Sequence, residues 1–204
     1  MQLLDRFIAP HRSAHAVSQR ILVVNGHPDP RPERYCAALC RAYEEGARAA
    51  GLTVRQIVVG KDVPAPGSQA ASADLFAALE DMAWATRLMV VFPLWMDQPP
   101  KALSELFEIF HHLNLTARKK APELRQVVTM EMPAFFHRIA GTNSFRAPKS
   151  LAAMDLPGFP GADRTFIGSV DSISAQERDW WLKAMREAGM GAARARAASE
   201  ASAA

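Results

Sequence analysis

Three short segments gather the side chains that could bind or react. The first is Asn25-Gly26-His27-Pro28-Asp29-Pro30-Arg31-Pro32-Glu33-Arg34, which leads from an apolar run into a helical pattern. Backbone amides exposed where such a loop enters a helix favour an anion. Arg31 or Arg34 could add charge-assisted hydrogen bonds to a phosphate. The same residues also suit a proline-stiffened turn with solvated arginines, and the spacing alone does not separate the two. Neither G-x-G-x-x-G nor a P-loop is present. The second segment is Phe92-Pro93-Leu94-Trp95-Met96-Asp97-Gln98-Pro99-Pro100. Aromatic and aliphatic residues at a strand end can form a flat apolar wall with free backbone amides, which suits a planar ring; covering the sheet edge or a subunit partner is the other use of such residues. The third is Thr129-Met130-Glu131-Met132-Pro133-Ala134-Phe135-Phe136-His137-Arg138. His137 could serve as an acid–base group, while Glu131 with Arg138 reads more simply as an ion pair.

Other reactive residues carry weaker signals. His111 and His112 are adjacent on a helical pattern, so they point apart and do not chelate one metal. Cys36 and Cys40 lie four apart on a predicted helix and read as small packing residues. A C-x₃-C without a second pair nearby is a poor zinc signal, and no metal is expected. No Ser-His-Asp order, nucleophile elbow or H-E-x-x-H occurs.

The elements that position these segments follow from hydrophobic pattern. Ile21-Leu22-Val23-Val24 is a continuous apolar run, the mark of a strand covered on both faces. A helix is predicted from about Glu33 to Ala50, with Gly51 at its C-terminal cap. Thr53 to Val59 is a second strand, and Lys61 to Ser68, with Pro64, Pro66 and Gly67, is loop. Ser72 is the predicted N-cap of a helix reaching Trp84. Arg87 to Phe92 is a third strand. Pro100 opens a helix whose Leu103, Leu106, Phe107 and Phe110 share a face. Val127 to Met130 and Thr165 to Val170 are the last strands. Ser174 and Glu177 form a capping box for a final helix that Gly189 closes.

Alternation of this kind predicts an α/β fold with a parallel sheet and helices on both faces. Right-handed crossovers and five strands point to the order 2-1-3-4-5. Ligands of such sheets sit outside the carboxyl ends of the strands, beside the switch point between strands 1 and 3. That rule nominates Gly26 to Arg34, Phe92 to Gln98 and Met130 to Arg138. Residues 1–20 read as an N-terminal extension, 21–190 as the domain, and 191–204 as a disordered tail.

Composition narrows the class. The 204 residues suit one domain. With 49% hydrophobic and 22% charged residues, the chain resembles an ordinary globular protein. A net charge of +3, with no basic stripe interleaved with aromatics, argues against a nucleic-acid partner. No apolar run is long enough for a membrane span, and residues 1–20 are not a convincing secretory signal. Two cysteines fit a reducing compartment, so a cytoplasmic location is expected.

Taken together, Ile21 to Pro28, the Phe92-Pro93-Leu94-Trp95 loop with its following helix, and Val127 to Ala134 resemble the NAD(P)H:quinone oxidoreductase group of flavodoxin-like flavoproteins. The resemblance extends through Ile167-Gly168 and the helix bearing Trp181, covering about Arg20 to Gly189. It implies a flavodoxin-like fold, bound FMN or FAD, and a homodimer with the flavin near the subunit interface. It also implies NAD(P)H as electron donor and a quinone or similar small molecule as acceptor. The flavin carries the chemistry and the protein supplies orientation and electrostatics. By the same resemblance, His27 and the start of the next helix face the flavin phosphate. Pro93, Leu94, Trp95 and Met96 run beside the ring and ribityl chain, largely through backbone contacts. Thr129, Met130 and Glu131 lie along the ring's other edge.

The chain also departs from that family pattern. Arg31 stands about where relatives carry a phosphate-binding Ser or Thr, either as a substitute ligand or as the mark of a damaged site. Met96-Asp97-Gln98 replaces a glycine-bearing turn. Glu131 replaces a glycine and sets negative charge beside a flavin that becomes anionic on reduction, which should make reduction harder. His137 falls where many relatives have a tyrosine. A second reading therefore stands beside the enzyme: a flavodoxin-like dimeric binding or regulatory protein that has lost flavin or turnover.

Overall fold

The computed structural model describes residues 19–63, 72–95, 98–117, 121–131 and 155–202. Met96, His137, most of the expected N-terminal extension and most of the proline-rich loop after Lys61 lie outside these residues. Five strands form one parallel sheet: β1 (Arg20–Asn25), β2 (Thr53–Val58), β3 (Arg87–Pro93), β4 (Glu123–Thr129) and β5 (Asp163–Ile167). Their order is β2-β1-β3-β4-β5, as expected. The helices are α1 (Tyr35–Ala49), the single turn α2 (Val59–Asp62), α3 (Ser72–Trp84), α4 (Lys101–Ala117) and α5 (Ala175–Ser202).

The apolar runs are continuous because both faces of the sheet are covered. Side chains alternate along a strand. Leu22, Val24, Leu88, Val90 and Phe92 therefore pack under α3 and α4. Ile21, Val23, Met89 and Val91 pack under α1 and α5. Ile21 to Val24 have no exposed surface at all.

Strand β4 starts four residues before the apolar pattern does. Several of its polar groups find partners across the strands, while Gln126 Nε2 has none among the described residues. Arg87 Nη2 bonds Glu123 at 2.7 Å, and the fully buried Gln126 accepts from Arg164 Nε at 2.9 Å. Paired polar groups of this kind are compatible with a buried strand.

The last helix corrects the sequence reading. Gly189 does not close it; α5 continues through Gly191 to Ser202, so residues 191–202, expected as a disordered tail, are helical in the structure. The glycine serves a different need. A Cβ on Gly189 would overlap the Tyr43 carbonyl of α1, and one on Gly46 would overlap the Arg186 carbonyl of α5. The two helices thus meet backbone to backbone. Gly51, by contrast, has the positive φ of 77° expected of a cap.

This contact predicts two substitutions of opposite sign. Gly46→Ala should destabilise the fold by about 1–3 kcal/mol, the usual cost of overpacking. Gly191→Ala, where no described residue lies within 4 Å of the new methyl, should stabilise it by up to about 1 kcal/mol. Urea unfolding midpoints measure both, and equal shifts for the two would refute the close-contact account.

Candidate functional site

The loop after β1 begins with a tight exit. Gly26 donates its N–H to Val91 O at 2.8 Å, and a Cβ there would lie 2.8 Å from both Leu103 Cδ2 and Phe92 Cβ. Only glycine keeps the chain pressed against β3 and α4 at this point. The buried Asn25 then turns the chain, its Oδ1 accepting the His27 N–H at 3.1 Å. His27 Nδ1 lies 2.9 Å from the Asp29 N–H. Nδ1 also lies 3.1 Å from Asp29 O, so it accepts from the amide in one tautomer and donates to the carbonyl in the other. Burial holds this imidazole below its ordinary value; hydrogen bonding to the Asp29 backbone opposes that, and Arg34 reinforces it. The ring meets Trp95 edge to face, with centroids 5.7 Å apart.

Asp29 organises the rest of the loop. Its carboxylate accepts the Arg31 N–H at 3.1 Å, Arg31 Nη2 at 2.6 Å and Arg34 Nε at 2.7 Å, and it also pairs with Arg34 Nη2. The Arg31 and Arg34 guanidinium groups hold this carboxyl well below the usual carboxylate range, Arg31 contributing most. Arg34 is the N-cap of α1, in extended geometry. Among the described residues no side chain caps the helix, and no acidic residue occupies its first turn. The first-turn amides of α1 are therefore not committed to a side-chain acceptor.

These residues border a cavity of about 370 Å³ at the carboxyl ends of β1, β3 and β4. It lies within the range of small-molecule sites. The predicted His27, Pro93, Leu94, Trp95, Thr129, Met130 and Glu131 all line it. Arg31 does not: its side chain is 64% exposed and held by Asp29, whereas Arg34 reaches the lining.

The apolar wall is present, with Leu94 buried and Trp95 44% exposed. Its free amides are not. Leu94 N–H donates to Thr129 O at 2.8 Å, and Trp95 N–H donates to Gln98 O at 3.2 Å. The reason is tertiary. Pairing between β3 and β4 runs to Pro93 and Thr129, one residue past the strand end expected at Phe92, and the loop closes on itself at Trp95 and Gln98.

Two further residues join the site from helix starts. Ser174 Oγ accepts the Glu177 N–H at 3.1 Å, so the expected cap forms. One turn on, Arg178 Nη2 donates to Val170 O at 2.6 Å while its guanidinium lies 4.9 Å from the Tyr35 ring centroid. Both residues line the cavity. The Tyr35 hydroxyl is buried with no hydrogen-bond partner among the described residues. Burial pushes this phenol up to about 12, so it remains a proton donor. The sequence held a signal for both: each lies in the first turn of a helix that follows a strand end. Deeper in, Cys36 Sγ is 3.4 Å from Thr129 Oγ1. Among the described residues no group of His, Cys, Asp or Glu is arranged to hold a metal, and no helix is long and apolar enough to cross a membrane.

The chemistry divides the cavity into two parts. Arg34, Arg178, the Tyr35 hydroxyl and the α1 amides gather donors suited to an anion, with the carboxylates of Glu33 and Asp171 also in the lining. Pro93, Leu94 and Trp95 form an apolar side suited to a flat ring. An orphaned buried hydroxyl at the donor end fits a phosphorylated planar group such as a flavin nucleotide.

Comparison with known proteins agrees with this architecture. Residues 19–179 match the family model of the flavodoxin-like fold. A comparison with curated proteins finds no match. Among solved structures, Smu.1420 of Streptococcus mutans aligns with a TM-score of 0.62 at 16% identity, over 85% of this chain and 100% of that one. The NAD(P)H:quinone oxidoreductase of Methanothermobacter marburgensis gives 0.62 at 16%, over 85% and 96%. An FMN-dependent NADH-azoreductase of Bacillus anthracis, in complex with FMN, gives 0.58 at 15%, over 86% and 99%.

The buried thiols yield a prediction. Burial pushes Cys36 up to about 11 and raises Cys40 as well. A raised value lowers the thiolate fraction, and the thiolate is the reactive form. At pH 8 a disulfide reagent such as Ellman's should therefore modify neither thiol in the folded protein and both in denaturant. Fast titration of one thiol under native conditions would contradict the burial.

Proposed function

The chain belongs to the flavodoxin-like fold family, and from that premise we propose that it is a flavin-dependent NAD(P)H oxidoreductase. In this reading it binds FMN or FAD. NAD(P)H would be the hydride donor and a quinone or similar small molecule the two-electron acceptor. The observation that carries the reading is the pairing of a donor-rich end with an apolar wall in one cavity beside the β1/β3 switch point. The names of the solved structures with this fold agree with it.

The bound flavin would supply the two-electron chemistry. The chain's own residues bind and orient. Arg34, the α1 amides and the Tyr35 hydroxyl hold the phosphate, with Arg178 closing the far side. The role expected of Arg31 as direct ligand passes to Arg34, which is the arginine at the cavity. Pro93, Leu94 and Trp95 shield the ring from water through their side chains, and Met96 is a further proposed contact. Thr129 and Met130 border the opposite edge. His27 presents its imidazole at the cavity, and His137 is the proposed acid–base group. Glu131, exposed at the rim, places negative charge near the ring and disfavours its reduced form.

A homodimer, a cytoplasmic location and a small-molecule partner without nucleic acid belong to the same proposal. Half-exposed Trp95 at the cavity and the exposed Ile109 and Leu113 of α4 support a subunit contact. The second reading, a dimeric binding protein without turnover, draws on the engaged amides of Leu94 and Trp95 and on the charge of Glu131.

The first test is the absorbance spectrum after incubation with excess FMN or FAD and desalting. A retained flavin that bleaches with NADH or NADPH and recovers with a quinone is expected. No retained flavin would transfer the case to the binding protein. Arg34→Ala should then weaken FMN binding about tenfold or more, in keeping with the ~1.5–3 kcal/mol of a charged hydrogen bond; unchanged affinity in a flavin titration would remove Arg34 from the site. Glu131→Gly should raise the reduction potential of the bound flavin, and an equal or lower value in a spectroelectrochemical titration would count against its role.

A further inference from the structure

Asp29 is not part of the cavity lining, yet it holds the one residue of its loop that brings a positive charge there. Arg34 directs Nε to Asp29 Oδ2 at 2.7 Å, and its Nη2 pairs with the same oxygen. That oxygen also receives Arg31 Nη2 at 2.6 Å and Arg31 Nε at 2.9 Å. One carboxylate is thus shared by two guanidinium groups. Only one of them, Arg34, borders the cavity.

We propose that Asp29 is a resident counter-anion that competes with the ligand's phosphate for Arg34, and that Arg31 is its neutralising partner rather than a phosphate ligand. This rests on the flavin reading above. Carboxylate and phosphate oxygens both accept the planar donors of arginine, so one guanidinium cannot satisfy both fully. Because Asp29 is tethered five residues from Arg34, its effective concentration is high. Part of what Arg34 could give a phosphate is already taken. When Arg34 turns to the ligand, Arg31 remains on Asp29 through Nε and Nη2 and through its own backbone N–H. The carboxylate then stays neutralised beside an incoming dianion. This accounts for an arginine that lies outside the cavity but within the loop that borders it. Asp29 is therefore a specificity-determining residue: it sets how strongly the protein prefers a phosphorylated ring over the same ring without phosphate.

The test compares FMN with riboflavin, which shares the ring and lacks the phosphate. Dissociation constants come from quenching of flavin fluorescence. Asp29→Asn retains an oxygen for the Arg31 N–H but removes the charge. It should tighten FMN about 3–10-fold and leave riboflavin within about twofold, a gain of roughly 0.7–1.4 kcal/mol in discrimination. Should Asp29→Asn not fold, Asp29→Ser offers the same turn acceptor. Arg31→Ala should weaken FMN in the native background and have no effect in the Asp29→Asn background, a coupling that a double-mutant cycle reads directly.

An unchanged or reduced FMN-to-riboflavin preference in Asp29→Asn overturns the proposal while leaving the flavin reading intact. Equal loss from Arg31→Ala in both backgrounds does the same, by making Arg31 a direct ligand. If the native protein binds neither FMN nor riboflavin, the flavin reading fails and this inference falls with it.

Discussion

Strand β1 hydrogen-bonds to β2 along one edge and to β3 along the other, in parallel register on both sides. Its side chains alternate between two cores. The right-handed connections leaving β1 and β3 must therefore cover opposite faces of the sheet. α1 goes to one face and α4 to the other. The chain splits above the gap between the two strands, and a crevice remains that neither helix fills. Each part of the site depends on that divergence. The loop after β1 and the loop after β3 can face each other only because their helices depart in opposite directions.

The crevice is finished by contacts made elsewhere. Met130 N–H donates to Ile167 O, and Val170 N–H donates back to Met130 O, which carries β5 and the start of α5 to the same edge. Arg178 then reaches Val170 and Tyr35 from that side. The donor end of the cavity is thus assembled from α1 and α5, two elements more than a hundred residues apart in the chain. The apolar side comes from the β3–α4 connection. Binding and shielding are divided between the two faces of the sheet.

The sheet order was legible because it rests on local signals: apolar runs of strand length, helical spacing between them, and turn residues at their ends. The capping box at Ser174 and the glycine cap at Gly51 were legible for the same reason. Features that depend on distant partners were not. Leu94 and Trp95 carry no sign that Thr129 and Gln98 will take their amides. Arg31 and Arg34 look alike in a loop rich in proline; which one reaches the cavity depends on where α1 takes its first turn, and that is settled by packing. Gly189 illustrates a different ambiguity. A glycine near a helix end can serve a left-handed cap or a close approach, and the sequence does not distinguish them. The structure shows close approach, and the helix runs on.

That approach has a consequence for the size of what is bound. Arg34 and Arg178 stand near the starts of α1 and α5, while the glycine-to-backbone contacts joining these helices lie about 18 Å further along, at 1.5 Å per residue from Arg34 to Gly46. With no side chains between the two backbones, the helices have no cushion to compress. They act as the jaws of a caliper locked at its pivot. The spacing of the two cations is set far from the anion they receive, and it cannot drift by substitutions around the anion itself. Any change in the dimensions of the guest must be taken up on the other side of the sheet, by the connection that follows β3.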